Sequence, residues 1–219
     1  MNQMESSNVN GFLSRALSLF LKNFSKKMNG LFVKKLADFI FSIGEKIIIN
    51  LDKLLPMYIR YYEDIIDEEI KMAGICNSDK ILHIGCGPVP STSILINKKT
   101  GASVAGIDKN ISATKGAKSC IKMINRNNKI QIQHANALDY KVQDFDVIMF
   151  SQGVEPRYKI LESISKSMKT NTRLIFRTVS SADGELTNQD SIIKKLFKIS
   201  KTISHENHGL LISVLLLKK

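Results

Sequence analysis

The sequence predicts an α/β protein whose sheet is doubly wound and mostly parallel, preceded by a helical cap and closed by an antiparallel hairpin. Three observations predict this fold. Apolar residues recur at helical spacing up to about residue 75, and short β-rich runs then alternate with helical stretches. Near the end of the chain, two strand-like runs are joined by only the five residues HENHG. We expect an N-terminal helical cap over residues 1–75 and a Rossmann-like core over residues 76–219.

The cap is predicted to contain three or four helices. The stretch MNG at 28–30 is typical of a helix end, and Pro56 is expected to open a new helix. Residues 12–35 also fit a second interpretation, a basic amphipathic helix that lies on a membrane. We favour packing of the apolar stripes on one another and on the core.

The core elements follow one another as in a parallel sheet with helices on both faces. Strands are predicted at 80–85, 102–108, 130–135, 144–151, 172–179, 196–204 and 210–218, and helices at 91–99, 113–125 and 159–168. The join between the last two strands is too short for a crossover helix, so these strands must pair antiparallel. Such a closing hairpin is the layout of class I S-adenosylmethionine-dependent transferases, the class I methyltransferase fold, whereas NAD-binding Rossmann domains keep their sixth strand parallel.

The composition limits the classes of partner. A formal net charge of +12 and a sequence pI near 9.6 are compatible with a nucleic acid, an anionic membrane or an acidic substrate. Because the lysines are spread along the chain and Trp is absent, we interpret the charge as a solvated surface and expect no nucleic-acid partner. The three cysteines match neither a metal array nor a disulfide framework, which favours a reducing cytoplasm. No secretory signal or membrane span is recognised, and the sequence leaves a monomer and a homodimer open.

The stretch ILHIGCGPVP, at 81–90, predicts a ligand loop after the first core strand. Gly85 and Gly87, with Cys86 between them, let backbone approach a ligand closely. Pro88 removes an amide that a pyrophosphate would use at a helix N-terminus. S-adenosylmethionine has no phosphate, and its amino and carboxylate groups can lie against this loop. We therefore predict S-adenosylmethionine as the cofactor.

Residues after the next strands complete the predicted cofactor site, because ligands of such sheets bind at the carboxyl ends of the strands. Asp108 is expected to accept both ribose hydroxyls, with a helix N-cap as the alternative role. Asn136, beside Ala137, is expected to accept the adenine amino group, with a loop-forming role as the alternative. Ser151 is expected to face the sulfonium of the cofactor, and Gln152 is expected to face the acceptor substrate. The stretch SQGV does not match the tetrad of amino methyltransferases, which disfavours a nucleic-acid methylase.

Three stretches resemble nicotianamine synthase and its archaeal homologues, over residues 56–219: HIGCGPVPSTSILI, EPRYKILESISKSMKTNTRLIFRTV and ISVLLLKK. The resemblance implies transfer of the aminocarboxypropyl group of S-adenosylmethionine to a small-molecule amine or amino acid, with release of methylthioadenosine. The product of this chemistry would itself chelate metals. No catalytic metal is expected, because His205 and His208 in the hairpin turn have no further ligands at metal spacing, and His83 is interpreted as a core residue.

The segment PMYIRYYEDIIDE, at 56–68, is similar to a family segment with a proline, two tyrosines and a later glutamate. The match implies Glu68 as the general base, Tyr61 as a second catalytic residue and Tyr58 as a substrate-binding residue. An aliphatic amine is mostly protonated at pH 7, so a carboxylate that takes its proton would raise the rate by ~10²- to 10⁴-fold. The spacing alone does not separate Glu68 from the other carboxylates of this segment, Glu63, Asp67 and Glu69.

Two departures from the family concern the acceptor side. The N-terminal helical part is shorter than in plant members, and Ile212 stands where the last strand of the family tends to carry an asparagine. Because of these two departures, the sequence does not identify the acceptor or the group that is transferred. The alternative functions are a small-molecule methyltransferase of the same fold and a non-catalytic module that binds RNA or a membrane through its charge.

Overall fold

The computed structural model describes residues 54–124, 129–180 and 191–219. Its strands are β1 (Lys80–Ile84), β2 (Ser103–Asp108), β3 (Ile130–His134), β4 (Val147–Phe150), β5 (Arg173–Val179), β6 (Phe197–Ser204) and β7 (Leu211–Lys218). The helices in these ranges are α1 (Leu54–Tyr61), α2 (Glu63–Ala73), α3 (Ser91–Thr100), α4 (Ile111–Ile124), α5 (Arg157–Ser167) and α6 (Ser191–Leu196), with a 3₁₀ turn at Glu206–His208. The described strands form one seven-stranded sheet in the order β3-β2-β1-β4-β5-β7-β6.

The sheet is parallel from β3 to β5, whereas β7 runs antiparallel to both of its neighbours, β5 and β6. The chain leaves β1 towards β2 and β3 on one side and returns to β4 on the other side. The switch point of the sheet therefore lies between β1 and β4. These pairings confirm the predicted doubly wound sheet with its closing antiparallel hairpin.

The predicted elements differ from the structure mainly at their ends. α4 begins two residues before the predicted start, because the Asn110 Oδ1 accepts hydrogen bonds from the Ser112 and Ala113 amides at 2.9 and 3.3 Å. β4 starts later than predicted, because residues 142–145 form a turn in which the Phe145 amide donates to the Val142 carbonyl at 3.2 Å. The short helix α6 is an element that the sequence pattern does not predict.

Side chains of each strand alternate between the two faces of the sheet and contribute to two cores. In β4, Val147 and Met149 belong to one core, and Ile148 and Phe150 belong to the other. The first core lies under α1, α2, α3 and α4, and the second lies under α5 and α6.

The described part of the cap continues the first core. Leu55 and Ile59 of α1 and Ile66 of α2 belong to the same buried cluster as Ile94 and Leu95 of α3. The division of the chain at residue 75 stays a prediction, and the features predicted at 12–35 and 28–30 lie outside the described residues. Within the described ranges, no helix has the length and apolar character that crossing a membrane requires.

A buried ion pair fixes α2 on the sheet. The Arg177 guanidinium of β5 donates from Nε and Nη2 to the two carboxylate oxygens of Glu69, at 2.7 and 2.6 Å. Glu69 is fully buried, and the Ser213 hydroxyl of β7 also donates to its Oε1, at 2.6 Å. The remaining arginine nitrogen, Nη1, donates to the Thr92 hydroxyl of α3 at 2.9 Å. Burial alone would lower the pKa of Arg177, but the Glu69 carboxylate raises it, so the guanidinium keeps its charge.

His83 is buried in β1, as the sequence predicts. Its Nδ1 lies 2.8 Å from the Ser93 hydroxyl of α3, and its Nε2 lies 2.9 Å from the Ser151 hydroxyl after β4. Burial, and then the nearby charge of Arg177, lower the pKa of His83 from 6.5 to about 3. The imidazole is therefore neutral at physiological pH.

Replacing Gly85 by alanine should destabilise the fold more than replacing Gly74. Both glycines have positive φ, +75° for Gly85 and +63° for Gly74. An alanine in this left-handed conformation lowers the free energy of unfolding by ~1–2 kcal/mol at either position. A Cβ at residue 85 would also overlap the Val154 side chain, whereas a Cβ at residue 74 would meet nothing within 4 Å. In urea unfolding we expect Gly85→Ala to lose about 1–3 kcal/mol more than Gly74→Ala. Equal losses in the two variants would contradict this packing.

The neutral state of His83 predicts that acid weakens the fold. The pKa of this group is near 6.5 in the unfolded chain and about 3 in the folded chain, so between these values only the unfolded chain takes up the proton. Stability that is present at neutral pH is therefore lost as the pH falls through this window. Relative to His83→Gln, wild-type stability in urea unfolding should fall by about 2 kcal/mol between pH 7 and pH 5.

The control for this measurement is His134→Gln, which removes an exposed histidine at the end of β3. It should keep the wild-type dependence of stability on pH. A wild-type chain and a His83→Gln variant that lose stability in parallel would show that His83 takes up its proton in the folded state.

Candidate functional site

The glycine loop crosses the carboxyl ends of β1 and β2. The amides of Gly85 and Cys86 both donate to the Ile107 carbonyl, at 2.9 and 3.1 Å, which turns the chain over the end of β2. Gly85 and Gly87 have φ of +75° and +64°, values that residues with side chains rarely adopt. Cys86 is buried, and Pro88 is partly exposed beside the glycines. The four residues form one loop that presents bare backbone at the carboxyl edge of the sheet.

Asp108 ends β2 and braces the glycine loop. Its Oδ2 accepts a hydrogen bond from the Gly87 amide at 3.1 Å, and its Oδ1 accepts one from the Asn110 amide at 2.8 Å. The alternative role as an N-cap does not hold, because the Asn110 side chain caps α4. A carboxylate has about four lone-pair sites, so Asp108 keeps capacity for further hydroxyl donors. The ribose contact stays a prediction.

Asn136 and Ala137 lie in the loop after β3. The Asn136 Oδ1 accepts a hydrogen bond from the Leu138 amide at 3.2 Å, and its Nδ2 donates to the Asp139 Oδ2 at 3.2 Å. These contacts match the loop-forming alternative for this exposed asparagine. Ala137 is buried beneath the loop. Adenine recognition by these residues stays a prediction.

Ser151 directly follows β4 and lies against the glycine loop. Its amide donates to the Ile84 carbonyl at 3.1 Å, and its Cβ lies 3.4 Å from the position of a Cβ built on Gly85. Gln152 is half-buried beside it, and its backbone carbonyl accepts a hydrogen bond from Arg157. Both residues therefore lie at the switch point of the sheet. Their contacts with a cofactor and an acceptor stay predictions.

A polar cleft opens at the same edge of the sheet. Leu211 at the start of β7 pairs with Val179 at the carboxyl end of β5, so the turn between β6 and β7 lies at the carboxyl edge. The cleft lies between this turn and α2 and is lined by Asp64, Glu68, Ser204, His205, Asn207 and His208. Three strand spacings, roughly 14 Å, separate β7 from β1 and its glycine loop.

The carboxylates of α2 have different partners, which separates the candidates that the sequence leaves open. Glu69 is fully buried in its ion pair with β5. Glu63 and Asp67 face α3, where their carboxylates lie 3.8 and 2.8 Å from the ammonium groups of Lys98 and Lys99. None of these three carboxylates lines the cleft.

Asp64 and Glu68 line the cleft from adjacent turns of α2. The Glu68 Oε2 lies 2.7 Å from the His205 Nδ1, and the Asp64 Oδ1 lies 2.9 Å from the His208 Nε2. Burial alone would raise the pKa of Asp64, but hydrogen bonds, first that of His208, hold it below its ordinary value. The side chains of Glu68 and Asp64 are 48% and 50% exposed, so both carboxylates are accessible from the cleft.

Hydrogen bonds through His205 connect the buried ion pair to the cleft. The Ser213 hydroxyl donates its single hydrogen to Glu69, so the Ser213 oxygen accepts from the His205 Nε2 at 2.8 Å. On its other side, the His205 Nδ1 lies 2.7 Å from the Glu68 Oε2. This chain of contacts therefore ends at a carboxylate on the wall of the cleft.

Tyr61 and Tyr58 lie on α1. The Tyr61 ring packs edge-on against the His208 ring, with centroids 4.5 Å apart. Burial, and then Tyr62 and Asp64, raise the pKa of Tyr61, so its phenol stays protonated. The Tyr58 hydroxyl lies 3.3 Å from that of Tyr62. The roles of Tyr61 and Tyr58 towards substrate stay predictions.

The sequence pattern does not predict three contacts of the site, those of His205 with Glu68, of His208 with Asp64 and of His83 with Ser151. These partners lie 137, 144 and 68 residues apart, and a single sequence carries no pattern over such distances. The available signal is indirect: Asp64 and Glu68 share a helix face, and the hairpin turn lies at the ligand-binding edge of the sheet.

Ile212 does not lie where the sequence predicts, on the acceptor side of the site. The side chain is fully buried in the second core, under α5 and α6. Because neighbouring residues of a strand face opposite sides, Ser213 faces α2 instead. In the described part of the chain, no group of three or more His, Cys, Asp or Glu side chains is arranged to hold a metal ion.

Comparison with known proteins gives one family and several related folds. A family model described as nicotianamine synthase protein matches residues 14–219. The chain is also similar to L-histidine 2-aminobutanoyltransferase of Yersinia pestis, with 22% identity over 120 residues, which are 55% of this chain. The match covers 45% of that relative, so the chain spans about half the relative's length.

Solved structures share the fold. A glutamate-to-glutamine variant of MtNAS in complex with S-adenosylmethionine has a TM-score of 0.69 and 18% identity, covering 81% of this chain and 71% of that chain. The magnesium protoporphyrin IX methyltransferase ChlM from Synechocystis PCC 6803, with bound SAH, has a TM-score of 0.58 and 13% identity. This match covers 72% of this chain and 84% of that chain. These likenesses confirm the class I methyltransferase fold. Since the family model matches nearly the whole sequence, the chain belongs to the nicotianamine synthase family.

Proposed function

We propose that this chain is an S-adenosylmethionine-dependent transferase that moves the 3-amino-3-carboxypropyl group to an amine and releases methylthioadenosine. The observation that carries the proposal is the Glu68–His205 pair, which lines a cleft on the same sheet edge as the glycine loop. Membership of the nicotianamine synthase family supports the same reaction. The MtNAS complex with S-adenosylmethionine supports the choice of cofactor.

The cofactor would lie across the ends of β1, β2 and β3. The loop at 85–88 would hold its amino-acid tail, because bare backbone lets the ligand approach closely. Asp108 would accept hydrogen bonds from the ribose hydroxyls through its remaining lone pairs. Ala137 would lie under the adenine, and Asn136 would exchange its loop contacts for the adenine amino group. Ser151 would lie beside the tail.

In the proposed reaction, the lone pair of the acceptor amine attacks the γ-carbon of the aminocarboxypropyl chain. The bond from this carbon to the sulfonium breaks, its electron pair stays on sulfur, and neutral methylthioadenosine leaves. The amine loses one proton, which Glu68 would accept on the oxygen that is not bonded to His205. This step requires the amine to lie within hydrogen-bond reach of Glu68 while it attacks the γ-carbon. Gln152 would contact the acceptor, with Tyr61 and Tyr58 completing its pocket from α1.

The acceptor is proposed to be a small amine or an amino acid. The name of the Yersinia relative makes L-histidine the first acceptor to test. A product with several amino and carboxylate groups would bind metal ions. The proposal includes residues 1–75 as a cap that excludes water from the pocket. Cys76, Cys86 and Cys120 form no disulfide, which supports a cytoplasmic location.

Methyl transfer is the alternative reaction of this fold, and the likeness to ChlM supports it. The two reactions differ in the sulfonium carbon that the site aligns with the nucleophile. Their byproducts therefore differ: aminocarboxypropyl transfer leaves methylthioadenosine, and methyl transfer leaves S-adenosylhomocysteine.

Incubation of the protein with S-adenosylmethionine and L-histidine, and separately with other amino acids, should yield methylthioadenosine by mass spectrometry. Glu68→Gln should lower the rate by ~10²- to 10⁴-fold, because an amide does not accept the proton of the amine. S-adenosylhomocysteine as the sole nucleoside product would overturn the proposed group transfer.

Glu63→Gln is the matched control for this experiment. Glu63 lies on the same helix, faces Lys98 and does not line the cleft. Its replacement should leave the rate within about 2-fold of wild type, as expected for an exposed ion pair. Equal losses in the two variants would contradict the assignment of Glu68 as the base.

A further inference from the structure

Three side chains between α3 and the end of β4 form a hydrogen-bonded chain. The Ser93 Oγ lies 2.8 Å from the His83 Nδ1, and the His83 Nε2 lies 2.9 Å from the Ser151 Oγ. Ser93 is fully buried and His83 is 3% exposed, so both lie out of reach of solvent. Ser151 is half-buried and lies against the glycine loop.

The burial of Ser93 fixes the direction of these hydrogen bonds. Among the described residues, the Ser93 hydroxyl contacts no polar group except His83, so its hydrogen is satisfied by donation to Nδ1. The neutral imidazole then carries its own hydrogen on Nε2. Nε2–H donates to the Ser151 oxygen. The Ser151 hydrogen is left to point away from His83.

We propose that His83 is a positioning residue that turns the Ser151 hydroxyl outwards, so that it donates a hydrogen bond to the carboxylate of the cofactor's amino-acid tail. The inference rests on the proposed function, because it takes S-adenosylmethionine as the ligand of the glycine loop. The Ser151 Cβ lies 3.4 Å from the position of a Cβ on Gly85, which places the hydroxyl beside the backbone that would face this tail.

The chemistry of the tail selects the carboxylate. The tail carries an ammonium group, which only donates hydrogen bonds, and a carboxylate, which only accepts them. Because the Ser151 oxygen accepts a hydrogen bond from His83, the Ser151 hydroxyl can donate its own hydrogen to a ligand. It therefore complements the carboxylate and not the ammonium.

Isothermal titration calorimetry with S-adenosylmethionine and with its decarboxylated analogue tests this contact. Ser151→Ala should weaken binding of S-adenosylmethionine roughly 10- to 100-fold, as expected for a hydrogen bond to a charged group. His83→Phe keeps a ring but has no donor for Ser151, and should weaken binding by about 3- to 10-fold. Both variants should bind the decarboxylated analogue within about 2-fold of wild type. Equal losses with the two ligands would overturn the carboxylate contact.

The double variant His83→Phe/Ser151→Ala separates an effect of His83 through Ser151 from a general disturbance of the cofactor site. If His83 acts through Ser151, the double variant binds S-adenosylmethionine as weakly as Ser151→Ala alone. Losses that multiply would overturn the positioning role. His83→Gln should restore binding, because its amide can accept from Ser93 and donate to Ser151.

If His83→Phe does not fold, Ser93→Ala carries the same test. It keeps His83 and removes the donor that sets its tautomer, so weaker binding of S-adenosylmethionine alone supports the proposal and unchanged binding overturns it. Failure of the proposed function gives a different result. A wild-type chain that binds neither ligand overturns both proposals, whereas binding of both ligands with no dependence on Ser151 overturns only this inference.

Discussion

The geometry of the cleft depends on one buried ion pair, between Glu69 of α2 and Arg177 of β5. Either charge without its partner would cost several kcal/mol in this environment, so α2 has one favourable position on the sheet. Successive residues of an α-helix are rotated by about 100° around its axis. Once Glu69 faces the sheet, Glu68 and Asp64 are turned towards the hairpin. Ser213 donates to Glu69 and accepts from His205, which ties the ion pair to the wall of the cleft.

Two histidine-centred chains of hydrogen bonds end at the carboxyl edge of the sheet. One runs from Ser213 through His205 to Glu68, and the other runs from Ser93 through His83 to Ser151. Each begins at a buried serine hydroxyl that already donates its hydrogen, to Glu69 from Ser213 and to His83 from Ser93. Each ends at a side chain that a ligand can reach. The first chain ends at the carboxylate proposed as the base, and the second ends at the hydroxyl proposed to contact the cofactor.

Much of the fold and of the cofactor loop follows from local sequence patterns. The glycine loop and Asp108 are predictable because strand, turn and helix follow one another along a short stretch of the chain. The antiparallel hairpin is predictable because five residues cannot hold a crossover helix. Local patterns also mislead, since an Asp at the end of a strand resembles an N-cap, and only the structure shows that Asn110 fills this position.

The choice between Glu68 and Glu69 lies beyond the sequence for a physical reason. Neighbouring acidic residues on a helix have the same local pattern, and their partners, His205 and Arg177, lie 137 and 108 residues away. Tertiary packing alone decides which carboxylate is buried and which one lines the cleft. The same holds for His83, whose burial follows from its strand but whose contact with Ser151 does not.

Hydrogen exchange measured by mass spectrometry on Arg177→Met tests whether the ion pair fixes α2 on the sheet. Without the guanidinium, Glu69 is a buried carboxylate without its charge partner, and α2 loses its fixed position on the sheet. We expect α2 and the 205–208 turn to lose protection together, while β1 and β2 keep theirs. Unchanged protection in α2, or a uniform loss over all elements, would contradict this expectation.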